Sequence, residues 1–335
     1  MKKRTILDIY LLTLIALGAS AILLRSYACL NFFNSSTMHF DDKTAIGVSV
    51  AIVIAGILAF ASYFFVGEKD MKLVAVNDNA ATYIPAGIVC ISLLFMAGDK
   101  FSFVNGRNFG NNKILPGIAT ALIALALLSA CAFFISIFIQ KRENAYKAAF
   151  GLCTVLFLAL YAAYLYFNAE KHPTNSPNKL IDQMAYLAAA IFFLFETRIA
   201  LGRAKWRLYI ISGMCACLLT AYSAIPSIII YFTNGYVVSD SIAESAVTLA
   251  IFIFIFSRVA QTRVLTRDVE CEAAENISKL SALREREIEE SRKLTRAHED
   301  NNVEPDTKDA DNYTFDIPYD DAKPNFSLDA QNNDN

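Results

Sequence analysis

The sequence predicts an all-α fold: a polytopic helical membrane bundle of about eight transmembrane helices, with a cytoplasmic helical extension and a disordered acidic C-terminal tail. The 335 residues are 55 % apolar and only 19 % charged, and the charges lie mainly in short connectors and after Arg258. The apolar residues form eight stretches of about 20 residues, long enough to cross a hydrocarbon core of roughly 30 Å. These stretches are 6–30, 45–67, 81–98, 114–140, 146–168, 180–201, 207–232 and 241–261.

The distribution of Lys and Arg predicts that both termini are cytoplasmic. With the N-terminus inside, fifteen of these residues lie at the inner flanks of the stretches and seven at the outer flanks. The basic residues in the connector after the third stretch are the strongest observation against this orientation. We therefore expect an integral protein of the cell (plasma) membrane.

The first stretch also fits a second interpretation. Residues 1–4 include three basic side chains, and Ala19-Ser20-Ala21 resembles a signal-peptide cleavage site. Cleavage would leave seven spans with an outer N-terminus. Asp8 lies inside the supposed signal core and the apolar run continues to Leu24. Both observations favour an uncleaved first span.

The sequence contains no recognisable catalytic set. All three histidines, His39, His172 and His298, lie outside the apolar stretches, which argues against a haem or metal site within the membrane. The H-E-x-x-H, G-x-S-x-G and phosphate-binding-loop motifs are absent from the sequence. We therefore predict no catalytic, metal-binding or cofactor-binding residue, no cofactor and no nucleic-acid partner. An enzyme ranks last among the possible functions.

Charged residues at membrane depth are the first functional candidates, because burying a charge in hydrocarbon is costly. Arg25 lies near the outer end of the first stretch, and Asp182 and Glu244 lie at a similar level in the sixth and eighth. An Arg25–Glu244 ion pair would join the first span to the last. Alternatively, Arg25 reaches the outer headgroups and Glu244 meets water at a helix end.

The inner end of the sixth stretch and the middle of the seventh hold further candidates. Glu196 and Arg198 are two residues apart and so do not face each other, which predicts a partner for Glu196 on another helix. Pro226 should kink the seventh helix and free a carbonyl. Broken helices line the substrate site in many transporters.

Aromatic residues are concentrated at the predicted outer end of the fifth stretch. Such residues commonly form a belt at the level of the lipid headgroups. The sequence therefore predicts an interfacial belt made of Tyr161, Tyr164, Tyr166 and Phe167.

The charged C-terminal segment has two parts. Residues 263–299 combine dense charges with an apolar stripe of helical period, which predicts either a single solvated helix or a coiled-coil helix that pairs copies of the chain or docks a partner. Residues 300–335 are acidic and polar, which predicts disorder. Four apolar side chains interrupt them and form a candidate motif for a cytosolic protein: Tyr313, Phe315, Ile317 and Tyr319.

Two functions rank above an enzyme. The first is a membrane sensor or scaffold that presents its cytoplasmic helix and tail to a partner. The alternative is a small-solute or lipid transporter with a kinked seventh span. The expected partners are the lipid bilayer, a cytosolic protein and a second copy of the chain.

Overall fold

The computed structural model describes the membrane-length helices and most of their connectors. The described residues are 2–34, 37, 39–65, 80–106, 114–138, 145–168, 176–203, 205–236, 238–239, 241–262 and 289. The predicted cytoplasmic helix, apart from residue 289, lies outside the described residues. The predicted acidic tail also lies outside them, together with its candidate motif of Tyr313, Phe315, Ile317 and Tyr319, which we call the aromatic motif.

Eight helices within the described residues are long and apolar enough to cross a membrane. Each corresponds to one of the predicted stretches, so the prediction of about eight such helices is confirmed. The helices are α1 (Lys2–Phe32), α2 (Thr44–Ala61), α3 (Ala80–Gly106), α4 (Ile114–Phe138), α5 (Ala145–Phe167), α6 (Pro177–Ala200), α7 (Trp206–Asn234) and α8 (Ile242–Thr262).

The helix α3 differs most from its predicted bounds. It ends at Gly106 instead of Gly98, so that Asp99 and Lys100 belong to a helix and not to a connector. Lys100 is only 2 % exposed. The sequence-based boundary fell at these charges because charged residues usually leave the membrane core. Here the charge is buried against neighbouring helices.

The connector between α1 and α2 contains an element that the sequence did not predict. Strands β1 (Phe33–Asn34) and β2 (His39–Phe40) pair antiparallel, with Phe33 opposite Phe40. Strands this short give little sequence signal. The Phe33 ring stacks on Tyr236 of the α7–α8 connector, with 5.9 Å between ring centroids, and the Tyr236 hydroxyl donates to the Cys29 carbonyl at 3.4 Å. The two strands therefore pack against the α7–α8 connector, which in turn is bonded to the C-terminal end of α1.

The helix α7 lies at the centre of the bundle. In its most apolar segment 78 % of the residues are buried, against 28 % in α2. It packs against α1, α2 and α6. Gly213 permits a close approach of α7 to α8, because a Cβ added there would lie 2.6 Å from Val259. Because α7 is so enclosed, its buried polar groups need hydrogen-bond partners within the protein.

Candidate functional site

Polar side chains are buried where α1, α2, α6 and α7 meet, and we call this group the Arg25 cluster. Arg25 of α1 is 0 % exposed. A charge that cannot reach water must be stabilised by protein groups. Its buried polar neighbours in the cluster are Ser49, Asn178, Asp182, Tyr222 and Ser223.

Arg25 binds the carbonyl that Pro226 leaves without a helical donor. Proline has no N–H, so the carbonyl four residues earlier, that of Tyr222, loses its usual partner. Arg25 Nη1 donates to this carbonyl, and Nη2 donates to Asn178 Oδ1 at 3.1 Å. The guanidinium carbon also lies 4.8 Å from the centroid of the Tyr222 ring. A charged side chain from α1 thus satisfies the backbone of α7.

Pro85 of α3 has the same effect at a second position. It removes the donor to the Ala81 carbonyl, and Ser257 Oγ of α8 donates to that oxygen at 2.6 Å. In both helices, the missing N–H is replaced by a donor from a side chain that is close in space but far away in the sequence. The sequence identifies the prolines but not their partners, because the partners are distant in the chain.

Asp182 and Tyr222 extend the Arg25 cluster across three helices. Ser223 Oγ donates to Asp182 Oδ1 at 2.5 Å, which links α6 to α7. The Tyr222 hydroxyl and Ser49 Oγ share a hydrogen bond of 2.6 Å, which links α7 to α2. The structure therefore joins Asp182 to the Arg25 cluster through Ser223, which follows Tyr222 in the chain.

The expected Arg25–Glu244 pair is replaced by other contacts among the described residues. Glu244 is 1 % exposed, so contact with water at a helix end is also excluded. Its backbone N–H donates to Ser241 Oγ at 3.2 Å, which is one half of a helix N-terminal capping box. Thr248 Oγ1 donates to the Glu244 carbonyl at 2.9 Å. The S-x-x-E spacing of residues 241–244 was the signal that our sequence analysis missed.

Lys100 is a buried cation that the sequence pattern assigned to a connector. Its Nζ lies 4.6 Å from the centroid of the Tyr164 ring and 5.3 Å from that of Tyr161, and 3.6 Å from Asp99 Oδ2. Both tyrosines are 0 % exposed. The predicted interfacial belt is therefore wrong for these two rings, since they face a lysine inside the bundle, whereas Tyr166 and Phe167 are exposed.

A second polar group joins α6 to α8, and we call it the Glu196 cluster. Glu196 Oε1 accepts a hydrogen bond from Arg258 Nη2 of α8, which confirms the expectation of a partner on another helix. Tyr209 of α7 interacts electrostatically with both groups.

The Glu196 cluster and the Arg25 cluster lie far apart along α6. Glu196 lies fourteen residues after Asp182 in this helix. At the helical rise this separation is about 21 Å along the axis. The two clusters therefore occupy opposite ends of the bundle.

Further contacts attach the end of α8 near the Glu196 cluster. Thr82 Oγ1 of α3 donates to Gln261 Oε1 at 2.6 Å, and Gln261 Nε2 lies 3.3 Å from Ser257 Oγ. Arg198, the remaining sequence candidate in this region, is half-buried near the C-terminal end of α6. The α3, α6 and α8 helices are thus joined by polar contacts at one end.

A cavity of about 100 Å³ opens beside the Glu196 cluster, and we call it the Glu196 cavity. Its wall comes from α3, α4, α5, α6 and α8 and combines three phenylalanine rings with hydroxyl and charged side chains. It is lined by Thr82, Ala132, Phe133, Ser136, Lys147, Gly151, Thr154, Phe193, Glu196, Thr197, Ile199, Ala200, Phe254 and Arg258. Arg198 is not part of this wall.

Eight apolar helices with short connectors and buried, internally partnered charges are consistent with the class of multi-pass helical membrane proteins. Comparisons with protein-family models, curated proteins and solved structures find no match to this chain. Within the described residues, no group of three or more His, Cys, Asp and Glu side chains could hold a metal ion.

Proposed function

We propose that the chain is a sensor or scaffold of the cell membrane, with both termini in the cytoplasm and a C-terminal segment that binds a cytosolic protein. The membrane bundle would hold the chain in place, and residues 263–335 would present the binding surface. In this proposal α8 is the element that connects the two functions, since it is the last membrane-length helix before the charged segment.

The contacts of α8 at the Glu196 end are the observation that carries this proposal. Ser257, Arg258 and Gln261 bind the Ala81 carbonyl, Glu196 and Thr82 respectively, all within the last six residues of the helix. Phe254 and Arg258 also line the Glu196 cavity. Occupancy of the cavity would therefore act directly on the helix that leads to the charged segment.

A deletion series tests the proposed partner. Removal of residues 310–322 eliminates the aromatic motif, and removal of residues 326–335 is a matched control that shortens the acidic segment without touching the motif. We expect the first deletion to lose the co-purifying cytosolic proteins and the second to retain them. Size-exclusion profiles establish that each variant is inserted and folded. The same set of proteins from all three chains would contradict the proposal.

A reporter fused at Asn108 tests the proposed orientation. Asn108 lies in the connector between α3 and α4, which is outside the cell if both termini are inside. We expect a reporter enzyme that works only outside the cell to be active when it is fused at this position. A cytoplasmic signal at this position would overturn the N-in, C-in topology.

The Arg25 cluster favours a second candidate function, a small-solute or lipid transporter. Transporter substrates bind at interrupted helices, and Pro226 interrupts α7 beside a buried cation. In the described structure, however, Arg25 itself binds the free carbonyl of Tyr222. A chain truncated after Arg267 separates the two functions: a transporter keeps its solute uptake, whereas a sensor or scaffold loses its partner and phenotype.

A further inference from the structure

The Glu196 cavity combines an aromatic wall with a buried hydroxyl group, that of Thr154. We propose that the cavity binds a small uncharged aromatic molecule that carries a hydroxyl group, as in a phenol. The proposal rests on the proposed function, because it names the ligand class of the cavity that α8 borders. Its test measures binding alone, so that its failure and a failure to find the cytosolic partner are separate results.

The charges in the wall do not select a charged ligand. Arg258 donates to Glu196, so these two side chains neutralise each other. Lys147 also interacts with another part of the chain. A charged ligand would lose its hydration without gaining an unpaired counter-charge from these three residues, which is costly. The wall therefore favours an uncharged ligand.

Thr154 of α5 is the lining residue whose hydroxyl group is available to a ligand. The other three hydroxyl groups of the wall already donate to protein groups; these are the hydroxyl groups of Thr82, Ser136 and Thr197. Thr154 is 3 % exposed, and within the described structure its hydroxyl has no hydrogen-bond partner. A buried hydroxyl group without a partner is unfavourable. A ligand that pairs with it therefore gains affinity.

The surroundings of Thr154 favour a ligand group that both accepts and donates. Gly151 lies three residues earlier, on the same side of α5, and a Cβ added to it would clash with Thr197 Cγ2 of α6. Thr197 thus lies against the helix that carries Thr154. Its hydroxyl hydrogen is directed to the Leu194 carbonyl, so its oxygen can only accept from a ligand. A phenolic hydroxyl can accept from Thr154 and donate to Thr197.

Three phenylalanine rings of the wall pack on one another. Phe193 and Phe254 are stacked with 5.7 Å between ring centroids, and Phe133 lies edge-on to them at 5.7 and 5.2 Å respectively. These contacts hold the rings in place, which reduces the cost of ordering them when a ligand binds. A further aromatic ring can extend the arrangement, because aromatic pairs prefer these edge-to-face and offset-stacked geometries.

The size of the cavity suits one substituted ring and not a whole lipid. The cavity volume is about 100 Å³. A water molecule needs about 10–15 Å³ of such volume, so that the cavity has room for roughly seven to ten waters. A phenol with one small substituent has a similar number of non-hydrogen atoms.

Fluorine NMR of the full-length protein in detergent micelles tests the proposal with 4-fluorophenol, fluorobenzene and 4-fluorobenzoate. Protein-free micelles at the same detergent concentration correct for partitioning of the probes. We expect 4-fluorophenol to bind about fivefold more tightly than fluorobenzene, since a neutral hydrogen bond contributes about this factor. The carboxylate of 4-fluorobenzoate should weaken binding at least about tenfold relative to 4-fluorophenol.

Three outcomes of this comparison would contradict the proposal. Equal affinity for fluorobenzene would show that the hydroxyl group is not recognised. Equal affinity for 4-fluorobenzoate would show that the cavity does not select an uncharged ligand. Lack of saturable binding by all three probes would show that the cavity is not a site for aromatic molecules.

Two threonine variants locate the binding within the chain. Thr154→Val removes the hydroxyl with little change in volume, so it should eliminate the preference for 4-fluorophenol and change the affinity for fluorobenzene less than about twofold. Thr120→Val is the matched control, because Thr120 is exposed on α4, donates to the Pro116 carbonyl and does not line the cavity. It should retain the preference. A preference that survives Thr154→Val would overturn the role of this hydroxyl.

A third variant tests the cavity itself. Ala132→Leu adds volume at a lining position and should reduce the affinity for both uncharged probes at least about tenfold. It carries the test if Thr154→Val fails to fold, as judged by its unfolding temperature. Unchanged affinities in a folded Ala132→Leu protein would place the probes elsewhere and overturn the proposal.

Discussion

Replacement of Arg25 by Met should destabilise the bundle mainly through the carbonyl of Tyr222. Methionine preserves most of the apolar stem but leaves two buried acceptors, the Tyr222 carbonyl and Asn178 Oδ1, without the donors that they have now. An acceptor buried without a donor costs about 1–3 kcal/mol. For two such acceptors, Arg25→Met should therefore reduce the free energy of unfolding by about 2–6 kcal/mol.

The proline supplies a direct test of this reasoning. Pro226→Ala restores a backbone N–H for the Tyr222 carbonyl, so Arg25 is no longer its only donor among the described residues. Interhelical hydrogen bonds in membrane proteins average about 0.6 kcal/mol and reach about 1.7 kcal/mol. A charged donor belongs at the upper end of this range. We expect Arg25→Met to cost less in the Pro226→Ala background, by about 1.7 kcal/mol.

Reversible unfolding of the full-length protein in mixed micelles would measure this double-mutant cycle. Pro85→Ala is the matched control background, because its freed carbonyl is bound by Ser257 and shares no partner with Arg25. The costs of Arg25→Met and Pro85→Ala should simply add, within about 0.5 kcal/mol. Additivity in the Pro226→Ala background as well would refute the role that we assign to Arg25.

Three further predictions use the same unfolding measurement. Ser257→Ala should cost about 1 kcal/mol. The cost should be smaller in the Pro85→Ala background, where the Ala81 carbonyl has its own backbone donor, and an undiminished cost would contradict this. Glu196→Gln should cost about 2–4 kcal/mol because it leaves the cation of Arg258 buried, and the addition of Arg258→Met should recover part of the loss. Glu244→Gln should cost under about 1 kcal/mol, because the backbone N–H at this position bonds Ser241 Oγ in either case; a larger loss would indicate that the carboxylate charge is essential.

The helices were predictable because membrane-length apolar stretches are a strong and local signal. The sequence also identified several polar residues of the two clusters, Arg25, Asp182 and Glu196, from the cost of burying charge. Their partners were not predictable. Arg25 binds a backbone carbonyl in α7. Every residue has such a carbonyl, and this one differs only because Pro226 removes its helical donor.

Lys100 shows a different limit of sequence reasoning. A charge near the end of an apolar stretch usually marks the membrane boundary, and the rule placed Lys100 and the tyrosines of α5 at an interface. The rule fails where aromatic rings and a neighbouring carboxylate surround the cation, because these contacts replace water. The Glu196 cavity was unpredictable for a similar reason, since its wall comes from five helices.

The partners of the two prolines also bear on where function resides. A carbonyl freed within an apolar bundle needs a donor, and Arg25 and Ser257 meet this need at Pro226 and Pro85. The most conspicuous buried charge therefore has a structural explanation that involves no ligand. Arg258 of α8 differs, because it lines the Glu196 cavity in addition to binding Glu196. We therefore expect the functional site at the end of the bundle where α8 precedes the charged segment, and not at Arg25.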